Sequence, residues 1–189
     1  FGTASYTFNR KYTFFGSVRF DGSDLFGVDS KYRYLPLYAL SASWNAKEES
    51  FFRDVNWLSA LKFRSSYGLQ GNIDKQSSPC IVGTPTVVTN LPGNSENGIT
   101  VMGLPNDKLR WEKTSTYNVG FDLSVLRHAV RMSFDYYNRK GTDLIGSQAV
   151  PLENGFNSMS VNWAEMTNKG WELSISTRNI KTDNFEWNT

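Results

Sequence analysis

The chain has 189 residues and a formal net charge of +2. Its acidic and basic residues are interspersed, with no basic stripe to follow phosphates, which excludes nucleic acid as an expected partner. No run approaches the roughly 18 apolar residues of a membrane helix. The mean hydropathy of −0.45 leaves room for a barrel, whose inner face and loops are polar.

Aromatic residues make up 15% of the chain, with 15 Gly and only 6 Pro, a mix suited to strands and tight turns. The single cysteine, Cys80, excludes an internal disulfide and any CxxC motif. In chain order, a weak strand over Thr3 to Asn9 meets a short turn at Asn9-Arg10-Lys11. From Tyr12 to Asp21, the residues Tyr12, Phe14, Gly16, Val18 and Phe20 share one face. A second weak strand, Tyr38 to Asn45, aligns Leu40, Ala42 and Trp44. Residues 46 to 57 form a modest connection with room for a helical turn.

Stronger alternation follows. Leu61, Phe63, Ser65, Tyr67 and Leu69 oppose Lys62, Arg64, Ser66, Gly68 and Gln70. Tyr117, Val119, Phe121, Leu123 and Val125 oppose Asn118, Gly120, Asp122 and Ser124. After a short turn at Leu126-Arg127-His128, Val130, Met132, Phe134 and Tyr136 oppose Arg131, Ser133, Asp135 and Tyr137. Trp171, Leu173, Ile175 and Thr177 oppose Glu172, Ser174, Ser176 and Arg178. Asn179 to Asn184 reads as a short connection, and Phe185 to Thr189 as the start of another strand. The chain begins and stops mid-pattern, so a longer parent is expected.

Between these runs lie long polar stretches at about 22–36, 71–113 and 140–167. Short turns alternating with long connections trim one end of a sheet and elaborate the other, as in an outer-membrane barrel. Trp44, Trp57 and Trp187 fall near the short-turn end. Trp111, Trp163 and Trp171 fall near the long-connection end, as two interfacial girdles would. The expected fold class is all-β, an antiparallel up-and-down transmembrane β-barrel segment of about 7–8 strands belonging to a larger barrel. A soluble β-sandwich that binds carbohydrate shares the same period and stays open as an alternative, as does a passive porin.

On the barrel reading, the apolar face meets lipid. The opposite face carries Lys62, Arg64, Asp122, Arg131, Asp135, Glu172 and Arg178, which would line the lumen or touch a plug. Asp21, Gly22, Ser23, Phe26 and Gly27 form a DGSxxFG pattern whose Asp-Gly-Ser start is turn chemistry. In the long connections, Tyr32, Tyr34, Phe156, Asn157 and Trp163 are candidates for stacking on or hydrogen-bonding a solute, or for touching a partner protein. The only histidine, His128, sits in a tight turn, which argues against a Ser-His-Asp site. No metal cluster or carboxylate pair suggests a metal site or a glycosidase.

Five stretches, in order, resemble the SusC/RagA-type TonB-linked outer-membrane proteins. They are VRFDGSDLFG (Val18 to Gly27), LKFRSSYGLQGN (Leu61 to Asn72), LRWEKTSTYNVGFDLSVL (Leu109 to Leu126), YYNRKGTDLI (Tyr136 to Ile145) and NKGWELSIS (Asn168 to Ser176). The resemblance implies that residues 1–189 are part of a barrel of about 22 strands, with the plug domain, TonB box and C-terminal strands outside this chain. It implies import of glycans, oligosaccharides or peptides across the outer membrane, together with a SusD-type surface lipoprotein and driven through TonB. It implies neither a cofactor nor catalysis.

Overall fold

A computed structural model describes residues 1–26, 33–75 and 77–189, with backbone alone for residues 90 and 91. Its strands are β1 (Gly2–Phe8), β2 (Tyr12–Gly22), β3 (Tyr34–Asn45), β4 (Leu58–Asn72), β5 (Gly83–Leu91), β6 (Asn94–Val101), β7 (Glu112–Val125), β8 (Val130–Ala149), β9 (Ser158–Lys181) and β10 (Glu186–Asn188). Eight of them form one sheet in the order β1-β2-β3-β4-β7-β8-β9-β10. β5 and β6 form a separate two-stranded sheet, and every strand pairing is antiparallel.

Local chemistry explains the trimmed end of the sheet. Asn9 and Arg10 take left-handed φ values of 49° and 57°, and the Lys11 amide donates to the Phe8 carbonyl at 3.0 Å. Leu126, Arg127 and His128 all take positive φ (54°, 54° and 64°), a conformation that disfavours Cβ. Surrounding bonds hold this turn in place. The Leu126 amide donates to the Trp57 carbonyl at 2.8 Å, the His128 amide to Ser59 Oγ at 3.1 Å, and the Arg178 amide to the Ala129 carbonyl at 2.7 Å. Two 3-10 turns, Ala46–Glu48 and Ser50–Phe52, occupy the connection read as partly helical.

The elaborated end departs from the expectation of open loops. The stretch 71–113 contains the β5–β6 hairpin, and 140–167 is mostly ladder. β8 and β9 stay paired from Val130↔Thr177 to Ala149↔Ser158, leaving only residues 150–157 outside the strands. Likewise β9 runs on to Lys181, so the turn read at Asn179 to Asn184 begins later. β5 and β6 are largely exposed on both faces and carry no apolar alternation, whereas the outer part of β8 packs Ile145 against Leu35, Leu37, Leu109 and Trp111, and that of β9 alternates through Met159, Val161 and Trp163. Of the 22–36 stretch, Gly22 and Tyr34 are already paired across β2 and β3.

The apolar alternation is real, but it builds no core. The register aligns Tyr12, Trp44, Phe63, Phe121 and Phe134 in one row across β2, β3, β4, β7 and β8, continuing to Leu173 on β9. Successive ring centroids lie 6.4, 5.6, 6.2 and 5.6 Å apart, the spacing of favourable aromatic pairs. Yet Phe63, Leu173 and Ile175 remain 41%, 49% and 56% exposed. Among the described residues one hydrophobic cluster is buried, Leu35, Leu37, Leu109 and Trp111, and it lies where the long connection rejoins the sheet. Trp111 is thus a core residue and not part of an interfacial girdle, because the turn before β7 folds it onto β3.

Candidate functional site on the polar face of the sheet

The face opposite the aromatic row carries the charges. In the register Arg64, Gly120, Asp135 and Glu172 form one row across β4, β7, β8 and β9. Lys62, Asp122, Ser133 and Ser174 form the next. One step nearer the short turns lie Ser124, Arg131 and Ser176, with Arg178 beyond. All seven charged residues expected on one face are therefore on one face.

Arg64 closes a network over three strands. Its Nε lies 3.0 Å from Asp122 Oδ2, and its Nη2 donates to Asp122 Oδ1 at 3.1 Å, to Asp135 Oδ2 at 3.0 Å and to Ser133 Oγ at 3.3 Å. Ser133 Oγ in turn donates to Asp122 Oδ1 at 2.9 Å. The guanidinium fork suits such multidentate pairing. Gly120 lies between Arg64 and Asp135, and a Cβ there would overlap the Asp135 carboxylate and the Phe134 carbonyl. Absence of a side chain at 120 is what lets an arginine on β4 reach a carboxylate on β8.

A second cluster, not anticipated from sequence, fastens the long connection. Arg110 Nη2 donates to Asp143 Oδ1 at 2.6 Å, and Lys113 Nζ to Asp143 Oδ2 at 3.0 Å. These bonds, Arg110 first, hold the Asp143 carboxyl below its usual range against the opposing effect of burial. Asn162 Nδ2 donates to the Arg110 and Asp143 carbonyls at 2.8 and 2.6 Å, and Glu112 Oε1 accepts from the Ile145 amide at 2.9 Å. Asp143 has φ 56° and sits at the β8 irregularity between Gly141 and Ile145. The only sequence signal was the Arg-Trp-Glu run at 110–112.

The aromatic face ends in a third polar group. Glu49, between the two 3-10 turns, accepts from Lys11 Nζ at 2.8 Å, Tyr12 Oη at 2.7 Å and Trp44 Nε1 at 3.4 Å. The Lys11 and then the Tyr12 bond hold its carboxyl below the usual range. The polar tips of two rings in the row thus share one carboxylate beside the short turn.

The expected loop residues are not gathered into one pocket. Tyr34 opens β3, whereas Trp163 lies on β9 with β4, β7 and β8 between. Both are exposed, at 62% and 63%. Phe156 and Asn157 sit at the tip of the β8–β9 arm, where the Asn157 carbonyl accepts from the Val150 amide at 3.2 Å. Tyr32 and Gly27 lie outside the described residues. The rest of the Asp-Gly-Ser pattern is a hairpin exit. Asp21 pairs with Arg19 at 2.7 Å, the Ser23 hydroxyl accepts from the Leu25 amide at 3.1 Å, and Phe26 ends a 3-10 turn. A Cβ on Gly22 would lie 2.9 Å from Tyr34 Cε1, so a larger residue there would push the exposed Tyr34 ring aside.

His128 does meet a serine: Ser124 Oγ lies 2.8 Å from its Nδ1. Ser124 is buried and, among the described residues, no carboxylate bonds the ring, so the pair serves the turn. The described residues also hold no group of three or more His, Cys, Asp or Glu able to bind a metal ion.

Comparison with known proteins places this architecture. The family model described as TonB dependent receptor-like, beta-barrel matches residues 1–189. TonB-dependent receptor P3 of Formosa agariphila is 33% identical over 189 residues, covering 100% of this chain and 19% of that protein. TonB-dependent receptor SusC of Bacteroides thetaiotaomicron is 35% identical over 192 residues, covering 99% of this chain and 19% of that protein. The solved RagAB peptide importer in its closed-closed state superposes with a TM-score of 0.80 at 26% identity, over 97% of this chain and 20% of that one. The chain thus spans about a fifth of the length of the relatives it matches.

Proposed function

Since this chain belongs to the TonB-dependent receptor-like β-barrel family, we propose that its eight-stranded sheet is an arc of a transmembrane barrel of about 22 strands. The parent protein is then an outer-membrane importer of glycans, oligosaccharides or peptides, working with a SusD-type lipoprotein and energised through TonB.

One observation carries this reading: the apolar face is continuous, uncovered and free of charge over the right distance. On β9 its outward positions between Lys169 and Lys181 are Trp171, Leu173, Ile175, Thr177 and Asn179. At about 3.3 Å per residue and a tilt near 40°, that interval is about 30 Å, matching the hydrocarbon thickness of a bilayer. A soluble sandwich would need a second sheet on that face. The polar face then lines the interior, where Arg64 and its partners stiffen the wall against the plug. Tyr34, Phe156, Asn157 and Trp163 would stand at the outer end for contact with solute or lipoprotein.

The test uses cells carrying the full-length parent. Uptake of labelled peptides and oligosaccharides should require TonB. Uptake that persists in a TonB-deficient strain favours a passive pore, and recovery of the parent in the aqueous fraction without detergent would refute the barrel.

A further inference from the structure

The aromatic face changes character at the long-connection end of β7, β8 and β9. Toward the short turns it is aromatic or aliphatic, with Tyr117, Val119, Tyr136, Trp171 and Leu173 in register. Just beyond stand Lys113 on β7, Lys140 on β8 and Lys169 on β9, all on that same face. Lys140 pairs with Ser115 and with Thr167, and each of these is one two-residue step from Lys113 and from Lys169. Such diagonal neighbours lie about 7–8 Å apart, close enough for long side chains to share one partner. The carboxylates come farther out. Glu165 Oε2 lies 2.9 Å from Lys140 Nζ, and Asp143 Oδ2 lies 3.0 Å from Lys113 Nζ. Lys169 is exposed and forms no ion pair among the described residues. The side chains of Lys140 and Glu165 are 48% and 60% exposed, and so open a pair contributes little and exchanges readily.

We infer that Lys113, Lys140 and Lys169 bind the phosphate-bearing headgroup of an outer-leaflet lipid, whose acyl chains lie along Trp171, Leu173, Tyr136 and Val119. This rests on the reading that the aromatic face meets lipid. Continuity selects a lipid over a solute. The cations border the exposed apolar face directly, so their occupant offers hydrocarbon on one side and charge on the other. The order of charges selects an anion. Along β9 the outward positions run Leu173, Trp171, Lys169, Thr167 and Glu165, so a cation and not a carboxylate adjoins the apolar band. Lysines at that level attract anionic headgroups. Phosphate suits them as a compact acceptor of several charged donors. Lys169 has its donors open, Lys113 uses one of three on Asp143, and the Thr167 hydroxyl stands beside them. Position selects the leaflet. At the short-turn end the outward positions of the same strands are Leu123, Val125, Val130, Met132, Thr177 and Asn179, with Lys181 the one cation among the described residues.

Lipid titration of the full-length parent tests this. The parent, purified in detergent, receives either a phosphorylated lipid A or the same lipid with its phosphates removed, and bound lipid is counted by native mass spectrometry. The wild type should prefer the phosphorylated form. Lys169→Gln should lower that preference about fivefold, and Lys140→Gln combined with Lys169→Gln about twenty-fivefold. Lys140→Arg combined with Lys169→Arg should keep it, and Lys181→Gln at the other end should leave it unchanged. Equal binding of the two lipids by wild type, an undiminished preference in the double glutamine variant, or an equal loss in Lys181→Gln would overturn the proposal. Cysteine labelling in a Cys80→Ser background separates this from failure of the barrel reading. If the aromatic face meets lipid, Phe121→Cys reacts with a lipid-soluble maleimide and Arg131→Cys with a water-soluble one, whichever lipid form binds.

Discussion

Arg64 on β4 and Asp135 on β8 meet at 3.0 Å although β7 runs between them. The residue under the bridge is Gly120, and any side chain there would displace the carboxylate. Gly120→Val is therefore expected to destabilise by about 1–3 kcal/mol through overpacking and to lower the temperature at which the full-length parent loses heat-modifiable migration. Asp135→Asn should do less, because Arg64 keeps Asp122.

The two faces predict opposite responses to charge. Phe121→Arg places a guanidinium in the aromatic row, at a cost of about 2–4 kcal/mol if that row is at mid-bilayer, and should impair assembly of the parent. Ser174→Arg, on the polar face and exposed, should assemble normally. Ser124 is a poorer control, because it is buried against His128. Equal assembly yields for the two variants would mean the faces are misassigned.

Glu49 predicts a pH dependence. Its carboxyl lies below its ordinary value of 4.5 in the folded state. The folded form therefore binds its proton less readily than the unfolded form. The stabilisation is complete above the ordinary value and lost as pH falls through the lower, folded one. Glu49→Gln should remove that part of the acid-limb loss while leaving stability near neutrality lower. Thermal midpoints of the detergent-solubilised parent between pH 3 and 7 measure both effects.

Trp111 ties the long connection to the sheet, packed with Leu35, Leu37 and Leu109, while its Nε1 donates to the Arg33 carbonyl at 3.3 Å. Trp111→Ala should cost about 3–5 kcal/mol locally. Its readout is faster proteolytic cleavage within residues 73–111 in intact cells, with the barrel itself still assembled.

Arg127 occupies the middle of three left-handed residues. Arg127→Gly should stabilise the turn by about 1 kcal/mol, because glycine adopts that conformation without strain. The Arg127 carbonyl that Arg178 uses is retained. A rise in the heat-modifiability midpoint is the expected reading.

What the sequence made legible was whatever lipid and water sort. Phe63, Phe121, Phe134 and Leu173 alternate with Arg64, Asp122, Asp135 and Glu172 because each set has a different surrounding, and that alone assigned the faces. β5 and β6 are largely exposed on both faces, so Thr84 to Thr89 gives no period to read, whereas Ser158 to Ala164 does alternate, with Met159, Val161 and Trp163 on one side, and was passed over inside a stretch read as a long connection. The clasp at Asp143 was equally hidden. Arg110, Asp143 and Asn162 come from distant stretches of chain, and the Asn162 bonds run to backbone carbonyls, which leave no trace in residue type. The polar-face charges were found as a set, but the pairing of Arg64 with Asp135 depends on Gly120, a residue noticed only as part of an alternation.

β4 and β7 are neighbours although the whole β5–β6 excursion intervenes, so no tight hairpin dictates how they align. A slide of two positions would keep greasy residues opposite greasy ones and so pass that check. It would also set Arg64 against Asn118 or Asp122 in place of Gly120, blocking the guanidinium's path to β8. The charge triad thereby acts as a proofreading device for assembly, penalising a misalignment that hydrophobicity alone cannot detect.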